Sequence, residues 1–234
     1  ELFALLAFHP ETLKFLIKLF GTSSFLSQFL ISHPELFDTI VMSAEFRSKK
    51  YKHDYRLELK ERLKENLSVD EKIEILRIFK NEEILRIAIN DVKKISIASV
   101  QLQLSNLADI LLEYVVTIAK ELLEKKHGRR NGEIAILALG KLGAKEILYT
   151  SDLDLIFIYN ESKYAGEGIS NQEYYTKLAQ KIIMILSIPT ENGILYQIDM
   201  RLRPSGSQGA LVVSRESFMN YYNNKSEVFC FPLD

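Results

Sequence analysis

The sequence predicts an α+β fold, with an N-terminal helical bundle followed by a domain built around a small mixed sheet. From residue 10 to about residue 127, apolar residues recur every three or four positions, which is the period of buried helices. The segment "KKHGRRNG" (125–132) is basic and turn-rich. After it, short β-rich runs alternate with helix-like segments. We therefore predict a helical domain at 1–128 and a second domain at 129–234.

The helices of the first domain have clear start and stop signals. "HPETLKFLIKLF" and "SHPELFDTIVMS" place Pro10 and Pro34 at first helical positions, each followed by glutamate. "DEKIEILRIFKNEEILRIAINDVKKI" and "SVQLQLSNLADILLEYVVTIAKELLEKKHG" carry the helical period over many turns, and the second ends at Gly128. These segments predict a bundle.

The second domain has a different element order. The expected strands are "EIAILAL", "DLDLIFIY", "GILYQIDMRLRP" and "ALVVS". Helices are expected at "NQEYYTKLAQKIIMILSI", which Pro189 closes, and at "RESFMNYY". The run "DLDLIFIY" is apolar on both faces beyond its aspartates, so we expect it at the centre of the sheet with its polar end at the rim of a cleft.

Composition and charge narrow the class of protein. Lys plus Arg (30) nearly balance Asp plus Glu (31) in 234 residues, so we expect no nucleic-acid or membrane surface. The apolar runs "IAILAL" and "IIMILSI" are too short to span a bilayer. The single cysteine, Cys230, favours a reducing compartment, hence the cytoplasm. The start "ELFALLAFHPE" lacks an initiator Met and indicates a piece of a longer protein.

Two aspartates stand at the start of the expected central strand. Asp152 and Asp154 are two residues apart, so in a strand they project from the same side. Two ionised carboxylates at that spacing repel by about 2 to 3 kcal/mol at an effective dielectric near 20. Either one keeps its proton or a cation binds between them. Oxygen-only ligands favour Mg²⁺ or Mn²⁺.

A third acid and two arginines follow in "YQIDMRLRP". Asp199, Arg201 and Arg203 alternate with apolar residues, which predicts that they share one strand face. If this strand pairs with the central strand, Asp199 becomes a third metal ligand or a general base. The arginines would then reach phosphate oxygens.

The segment "GKLG" follows the first strand. Gly140 and Gly143 would let backbone N–H groups approach a phosphate, and Lys141 adds positive charge. It is not a Walker A motif, because Leu142 stands where Ser or Thr would bind the metal.

Each part also has a structural interpretation: a solvated strand end, an ordinary turn, or arginines paired to acids. Occurring together and in this order, the parts favour phosphoryl or nucleotidyl transfer.

The motifs are long enough to identify a family. "ALGKLGAKEILYTSDLDLIFIY" and "GILYQIDMRLRPSGSQGALVVS" closely resemble the glutamine synthetase adenylyltransferase family, within the DNA polymerase β-like nucleotidyltransferase superfamily. "LIKLFGTSSFLSQFLISHPELFD" extends the resemblance into the helical part. The resemblance implies a polymerase β-like domain that transfers AMP from ATP to a tyrosine of glutamine synthetase and so regulates nitrogen assimilation.

The resemblance also implies roles for individual residues. Asp152, Asp154 and Asp199 match the metal-binding carboxylates, and Gly140, Lys141 and Ser151 match the nucleotide-side loop. It implies Mg²⁺ or Mn²⁺ as cofactor, ATP as substrate, glutamine synthetase as protein substrate, and a PII-type signal protein as a partner of the full-length enzyme.

Three alternatives remain open from the sequence. The family also contains a related half that removes AMP by phosphorolysis and releases ADP. "LFGTSSFL" and "RPSGSQGALV" resemble the transferring half, which we favour, whereas "DMRLRP" and "YYNN" resemble the removing half. A transferase for another hydroxyl is disfavoured by the near-neutral charge when that hydroxyl belongs to RNA. A catalytically silent regulatory half would have no need to keep three acids together. The tail "SEVFCFPLD" departs from the family, in which a Trp-Glu element is usual.

Overall fold

The structure is a computed structural model that describes residues 10–34, 36, 49–92, 95–130, 132–160 and 168–224. The chain divides into two compact units. The first contains residues 1–111, 145–149 and 189–193, and the second contains residues 112–144, 150–188 and 194–234. Cys230 and the tail "SEVFCFPLD" lie outside the described residues, and so does most of the helix expected after Pro34.

The first unit is built from helices. Its helices are α1 (Pro10–Thr22), α2 (Ser24–Ser32), α3 (Lys52–Arg62), α4 (Val69–Val92) and the first half of α5 (Ile97–His127). Pro10 begins α1 as its sequence predicts. The side chain of Ser23 caps α2 by accepting a hydrogen bond from the backbone N–H of Leu26, at 3.2 Å.

Helix α4 supplies much of the core of this unit. Leu85 and Ile89 pack with Leu16 of α1 and Leu30 of α2, and one turn away a second cluster forms. The second cluster contains Leu19, Leu26, Ala88 and Val92. Arg77 and Arg86 on α4 are also buried, so this helix is buried on several faces and not only along one stripe.

Helix α5 crosses the division between the units, which falls between Leu111 and Leu112. By length and composition alone it is the one helix among the described residues that could cross a membrane, and 67% of its most apolar window is buried inside the protein. A core helix has the same properties. The helix ends at His127, and Gly128 follows with φ of 73°.

The second unit contains a four-stranded mixed sheet, as predicted. Its strands are β1 (Ile134–Ala138), β2 (Leu153–Tyr159), β3 (Ile198–Asp199) and β4 (Val212–Ser214). Strand β2 is central: β1 pairs with it antiparallel, whereas β3 and β4 pair with it parallel. Five of its seven residues are buried, which explains its nearly continuous apolar sequence.

Helices cover this sheet. They are α6 (Gly140–Ala144), α7 (Asn171–Ser187) and α8 (Arg215–Asn224). Helix α7 contacts β3 and β4, and α8 contacts β2 and β4. Within this unit, Tyr159 of β2 stacks on Tyr175 of α7 with ring centroids 4.8 Å apart. The tyrosine pair of α7 therefore packs the core, as its helical spacing indicates.

Two details of the predicted strands are wrong. Only Ile198–Asp199 of "GILYQIDMRLRP" forms a strand, because the chain turns at Arg201 and Leu202. The "GKLG" segment, which follows β1, forms the short helix α6. Strand β2 begins at Leu153, so Asp152 lies immediately before it.

Candidate active site

The pairing of β2 with β3 brings two of the three predicted acids together. These strands are parallel, and the register places Asp154 directly beside Asp199. Side chains at paired positions of adjacent strands project to the same face of a sheet. The backbone N–H of Leu153 donates to the carbonyl of Gln197 at 2.9 Å and fixes this register. Asp152 precedes β2 by one residue and lies near the same edge.

The pKa of Asp154 responds to the charges of both other acids. Burial raises the pKa of Asp154, and the charges of Asp152 and Asp199 raise it further. Arg201 and Lys141 oppose this rise. Each of the other two carboxylates is therefore close enough to disfavour ionisation of Asp154, as expected for acids that share one site.

Asp199 has a different environment, dominated by Arg201. Its Oδ1 accepts from the backbone N–H of Arg201 at 2.8 Å, and its Oδ2 accepts from Nε at 2.7 Å. The Nη2 atom lies 2.5 Å from the same Oδ2. These hydrogen bonds hold the pKa of Asp199 below its ordinary value. Arg201 thus binds an acid of the cluster, where the sequence predicted a phosphate ligand.

Gly140 lies against the acid cluster. Its φ is 51°, and a Cβ at this position would overlap Oδ2 of Asp154. The backbone N–H of Leu139 donates to the carbonyl of Asp154 at 2.9 Å, which holds the start of α6 against β2. Glycine is required here both by the conformation and by the close approach to the carboxylate.

The other residues of the "GKLG" prediction lie in and after this turn. Gly143 packs on β1, since a Cβ there would lie 2.7 Å from the carbonyl oxygen of Ala138. Lys141 is exposed, and its charge lowers the pKa of Asp154. Ser151 is half-buried and directly precedes Asp152. Lys141 therefore belongs to the electrostatic environment of the acids.

Arg203 is not on the face with Asp199 and Arg201, and the predicted alternation along a strand is wrong. Its guanidinium donates to the carbonyls of Met200 at 2.8 Å, Ser207 at 2.9 Å and Gly209 at 3.2 Å. These bonds close the turn that follows β3. Arg203, which the sequence predicted to bind phosphate, stabilises its own loop in this conformation.

The sequence interpretation left one feature of this turn as an alternative and missed another. The first is the pair Asp199–Arg201, which matches the interpretation of arginines paired to acids. The second is Tyr221 of α8, whose hydroxyl accepts from the backbone N–H of Ser205 at 3.1 Å. Ser205 has φ of 63°, a left-handed conformation that this hydrogen bond helps to hold. No local pattern indicated the second contact.

The donor set has the chemistry of a divalent cation site. Carboxylate oxygens are the ligands that Mg²⁺ and Mn²⁺ prefer. Among the described residues, however, no three His, Cys, Asp or Glu side chains are arranged to hold a metal ion as they stand. Asp199 is held by Arg201 in this arrangement. The residues therefore fit such an ion by type, and Asp199 could serve as a ligand only after the guanidinium releases it.

Comparison with known proteins gives a consistent result. A family model described as glutamate-ammonia ligase adenylyltransferase matches residues 13–228. A protein of Hahella chejuensis is 35% identical over 233 residues, and one of Nitrosomonas europaea is 35% identical over 232 residues. These alignments cover 93% and 97% of this chain.

A third relative, from Brucella suis, is 33% identical over 241 residues, covering 96% of this chain. All three are named bifunctional glutamine synthetase adenylyltransferase/adenylyl-removing enzyme. The chain spans 24% of the length of each of these relatives.

Proposed function

Because the chain belongs to the glutamate-ammonia ligase adenylyltransferase family, we propose that it transfers AMP from ATP to a tyrosine of glutamine synthetase. One observation of the structure carries the proposal: the parallel pairing that sets Asp154 beside Asp199. A fold has no structural need to gather like charges at a sheet edge. A site for cations and phosphates does need them.

The acids are assigned to metal binding. Asp152, Asp154 and Asp199 would hold Mg²⁺ or Mn²⁺ through carboxylate oxygens. When bound, such an ion neutralises the triphosphate and polarises the phosphorus that is attacked. The raised pKa of Asp154 and the mutual repulsion of the acids supply a reason for a cation to bind there.

The cations and the turn around Gly140 are assigned to the nucleotide. Lys141 and Arg201 carry positive charge beside the acids and would contact phosphate oxygens. Gly140 and Gly143 keep the backbone of α6 close to β1 and β2, and Ser151 lies next to Asp152. Arg203 acts indirectly, because it fixes the turn that carries Arg201.

The proposed step is an in-line displacement at the α-phosphorus of ATP. The tyrosine hydroxyl oxygen forms a new bond to this phosphorus, and the bond to the β-phosphate oxygen breaks. Asp199 accepts the proton of the hydroxyl, and pyrophosphate leaves with the electron pair of the broken bond. The products are adenylylated synthetase and pyrophosphate.

Removal of AMP from adenylylated glutamine synthetase is a second candidate activity, because the names of the relatives include adenylyl removal. In that reaction an oxygen of inorganic phosphate attacks the same phosphorus, the bond to the tyrosine oxygen breaks, and ADP is released. The removing half would use an analogous displacement, with its acids in the corresponding roles. For the full-length enzyme we propose glutamine synthetase and a PII-type signal protein as partners.

The test is an assay in both directions with the purified chain. Glutamine synthetase is incubated with the chain, Mg²⁺ and ATP labelled in the adenosine moiety, and label on the synthetase is measured. In parallel, adenylylated synthetase is incubated with the chain and phosphate, and ADP is measured.

We expect label transfer in the first assay. ADP release in the second assay alone would assign the removing direction. Neither product, together with nucleotide binding, would support the silent half and contradict the proposed activity.

A further inference from the structure

The Asp199–Arg201 pair indicates how binding of a divalent cation at the acids is controlled. We propose that Arg201 is a displaceable counter-ion that prevents Asp199 from binding a divalent cation until a nucleotide triphosphate provides another partner for the guanidinium. The inference rests on the proposed function and makes Arg201 a positioning residue for the metal as well as a phosphate ligand.

Arg201 occupies the carboxylate of Asp199. Both of its carboxylate oxygens accept hydrogen bonds from one residue, Oδ1 from the backbone N–H and Oδ2 from the guanidinium. The guanidinium nitrogen at 2.5 Å from Oδ2 carries a permanent positive charge. A divalent cation on the same oxygen would be repelled by this charge, so the guanidinium and the cation compete for Asp199.

Arg201 also balances the charge of the whole cluster. Besides Asp199, the charges of Asp152 and Asp154 stabilise the protonated guanidinium. The structure therefore already contains one cation beside three acids.

The pair is easy to break. The Arg201 side chain is 82% exposed, and it extends from a turn and not from a strand. Asp199 is only 13% exposed, but water and salt reach the guanidinium and weaken the pair from that side. Arg203, two residues later, has the opposite character, since three backbone carbonyls hold its guanidinium.

The alternative partner of Arg201 is a triphosphate. A guanidinium binds phosphate oxygens with two parallel hydrogen bonds, at least as well as it binds a carboxylate. A triphosphate near the acids therefore removes Arg201 from Asp199 and leaves the carboxylate for the metal. Because coupling between two ligands is reciprocal, the metal must also strengthen binding of the triphosphate.

The experiment compares Arg201→Gln with the wild-type chain by Mn²⁺ titration, with free Mn²⁺ measured by electron paramagnetic resonance. In the absence of nucleotide, we expect the variant to bind Mn²⁺ about tenfold more tightly. With a non-hydrolysable ATP analogue present, the wild-type chain gains about tenfold or more in Mn²⁺ affinity and the variant gains little.

Two further variants sharpen the comparison. Arg201→Lys keeps the charge but loses the paired donors, so its Mn²⁺ affinity without nucleotide should lie between those of wild type and Arg201→Gln. Arg215→Gln removes the same charge from an exposed position of α8, and its charge is not among those that shift the pKa of Asp154 or Asp199. This control should match wild type in both titrations.

The outcomes separate this inference from the proposed function. If Arg201→Gln binds Mn²⁺ no more tightly than wild type without nucleotide, the inference is overturned, although the proposed function stands if Asp154→Asn still abolishes Mn²⁺-dependent binding of the analogue. If the wild-type chain binds neither Mn²⁺ nor the analogue, both are overturned.

Discussion

Each unit contains a cluster of charged side chains, and the two clusters differ in whether opposite charges compensate one another. In the helical unit, Arg86 is 2% exposed and every neighbour complements it: Nε donates to Glu83 at 2.6 Å, Nη1 to Gln103 at 3.0 Å and Nη2 to Tyr55 at 2.9 Å. Lys50 adds a second cation beside Glu83, at 2.7 Å. Opposite charges and hydrogen-bond partners compensate the cost of burial there.

The sheet unit contains the reverse arrangement. The charges of Asp152 and Asp199 raise the pKa of Asp154, and the exposed Arg201 is paired with Asp199. The comparison teaches that the first cluster serves stability and that the second is kept at a cost to stability. A substitution in each cluster should therefore affect different properties of the chain.

The largest expected effect is on activity. Asp154→Asn should lower adenylyl transfer to glutamine synthetase by about 10³-fold, because a ligand for the cation that stabilises the transition state is lost. Its free energy of unfolding, measured by urea denaturation, should be unchanged or higher, since a like charge is removed.

Asp70→Asn, at an exposed position of α4, is the matched control and should retain full transfer. A loss of folding in Asp154→Asn equal to its loss of activity would remove the distinction between the two clusters.

The second effect is on stability. Glu83→Ala leaves Arg86 buried without its carboxylate and should lower the free energy of unfolding by about 3 to 5 kcal/mol. Glu65→Ala removes an exposed glutamate and should change it by less than about 0.5 kcal/mol. Urea denaturation followed by circular dichroism measures both. Equal stability of the two variants would mean that the buried network contributes nothing.

The sequence predicted the elements better than the contacts. Strand β2, helix α7 and the end of α5 follow from local patterns: an apolar run, a helical period closed by Pro189, and Gly128. The sequence left the pairing of the two acidic segments as a supposition, and the structure shows it for Asp154 and Asp199.

The sequence could not show contacts that depend on how turns close. Alternation assigned Arg203 to a strand face, whereas three carbonyls of a closed turn hold it. The linear boundary near residue 128 is equally incomplete as a description of the compact units. Residues 145–149 and 189–193 belong with the helices, through bonds such as Tyr149 to Asp91 at 3.0 Å and Asn192 to Glu74 at 3.0 Å.

A smaller effect on the free energy of unfolding is expected when either of two glycines is replaced by alanine. Gly140→Ala should lower the free energy of unfolding by about 1 to 2 kcal/mol, because φ is 51° and the new methyl group would meet Asp154. Gly21→Ala lies in α1 with open space around it and should raise the free energy by about 0.5 to 1 kcal/mol. Urea denaturation gives both values. Changes of the same sign would contradict the close contact between Gly140 and Asp154.

The smallest expected effect is on the pH dependence of stability, through Lys80 in the helical unit. Burial lowers the pKa of Lys80 to about 8, below the ordinary value near 10.5. Between these two values the unfolded chain binds more protons than the folded chain, so stability rises with pH. From pH 8 to pH 9 we expect a gain of about 1 kcal/mol, which Lys80→Met should lack. A rise of the same size in Lys80→Met would assign the effect to another group.

The most direct test measures how many Mn²⁺ ions bind at Asp152, Asp154 and Asp199, and how tightly. Mn²⁺ binding is measured by electron paramagnetic resonance in the presence of a non-hydrolysable ATP analogue, for the wild-type chain and for Asp199→Asn. The account predicts that wild type binds Mn²⁺ with the analogue and that Asp199→Asn loses at least about tenfold in affinity. Equal Mn²⁺ affinity and stoichiometry in the two proteins would contradict the claim that residues from β2 and β3 share a divalent ion.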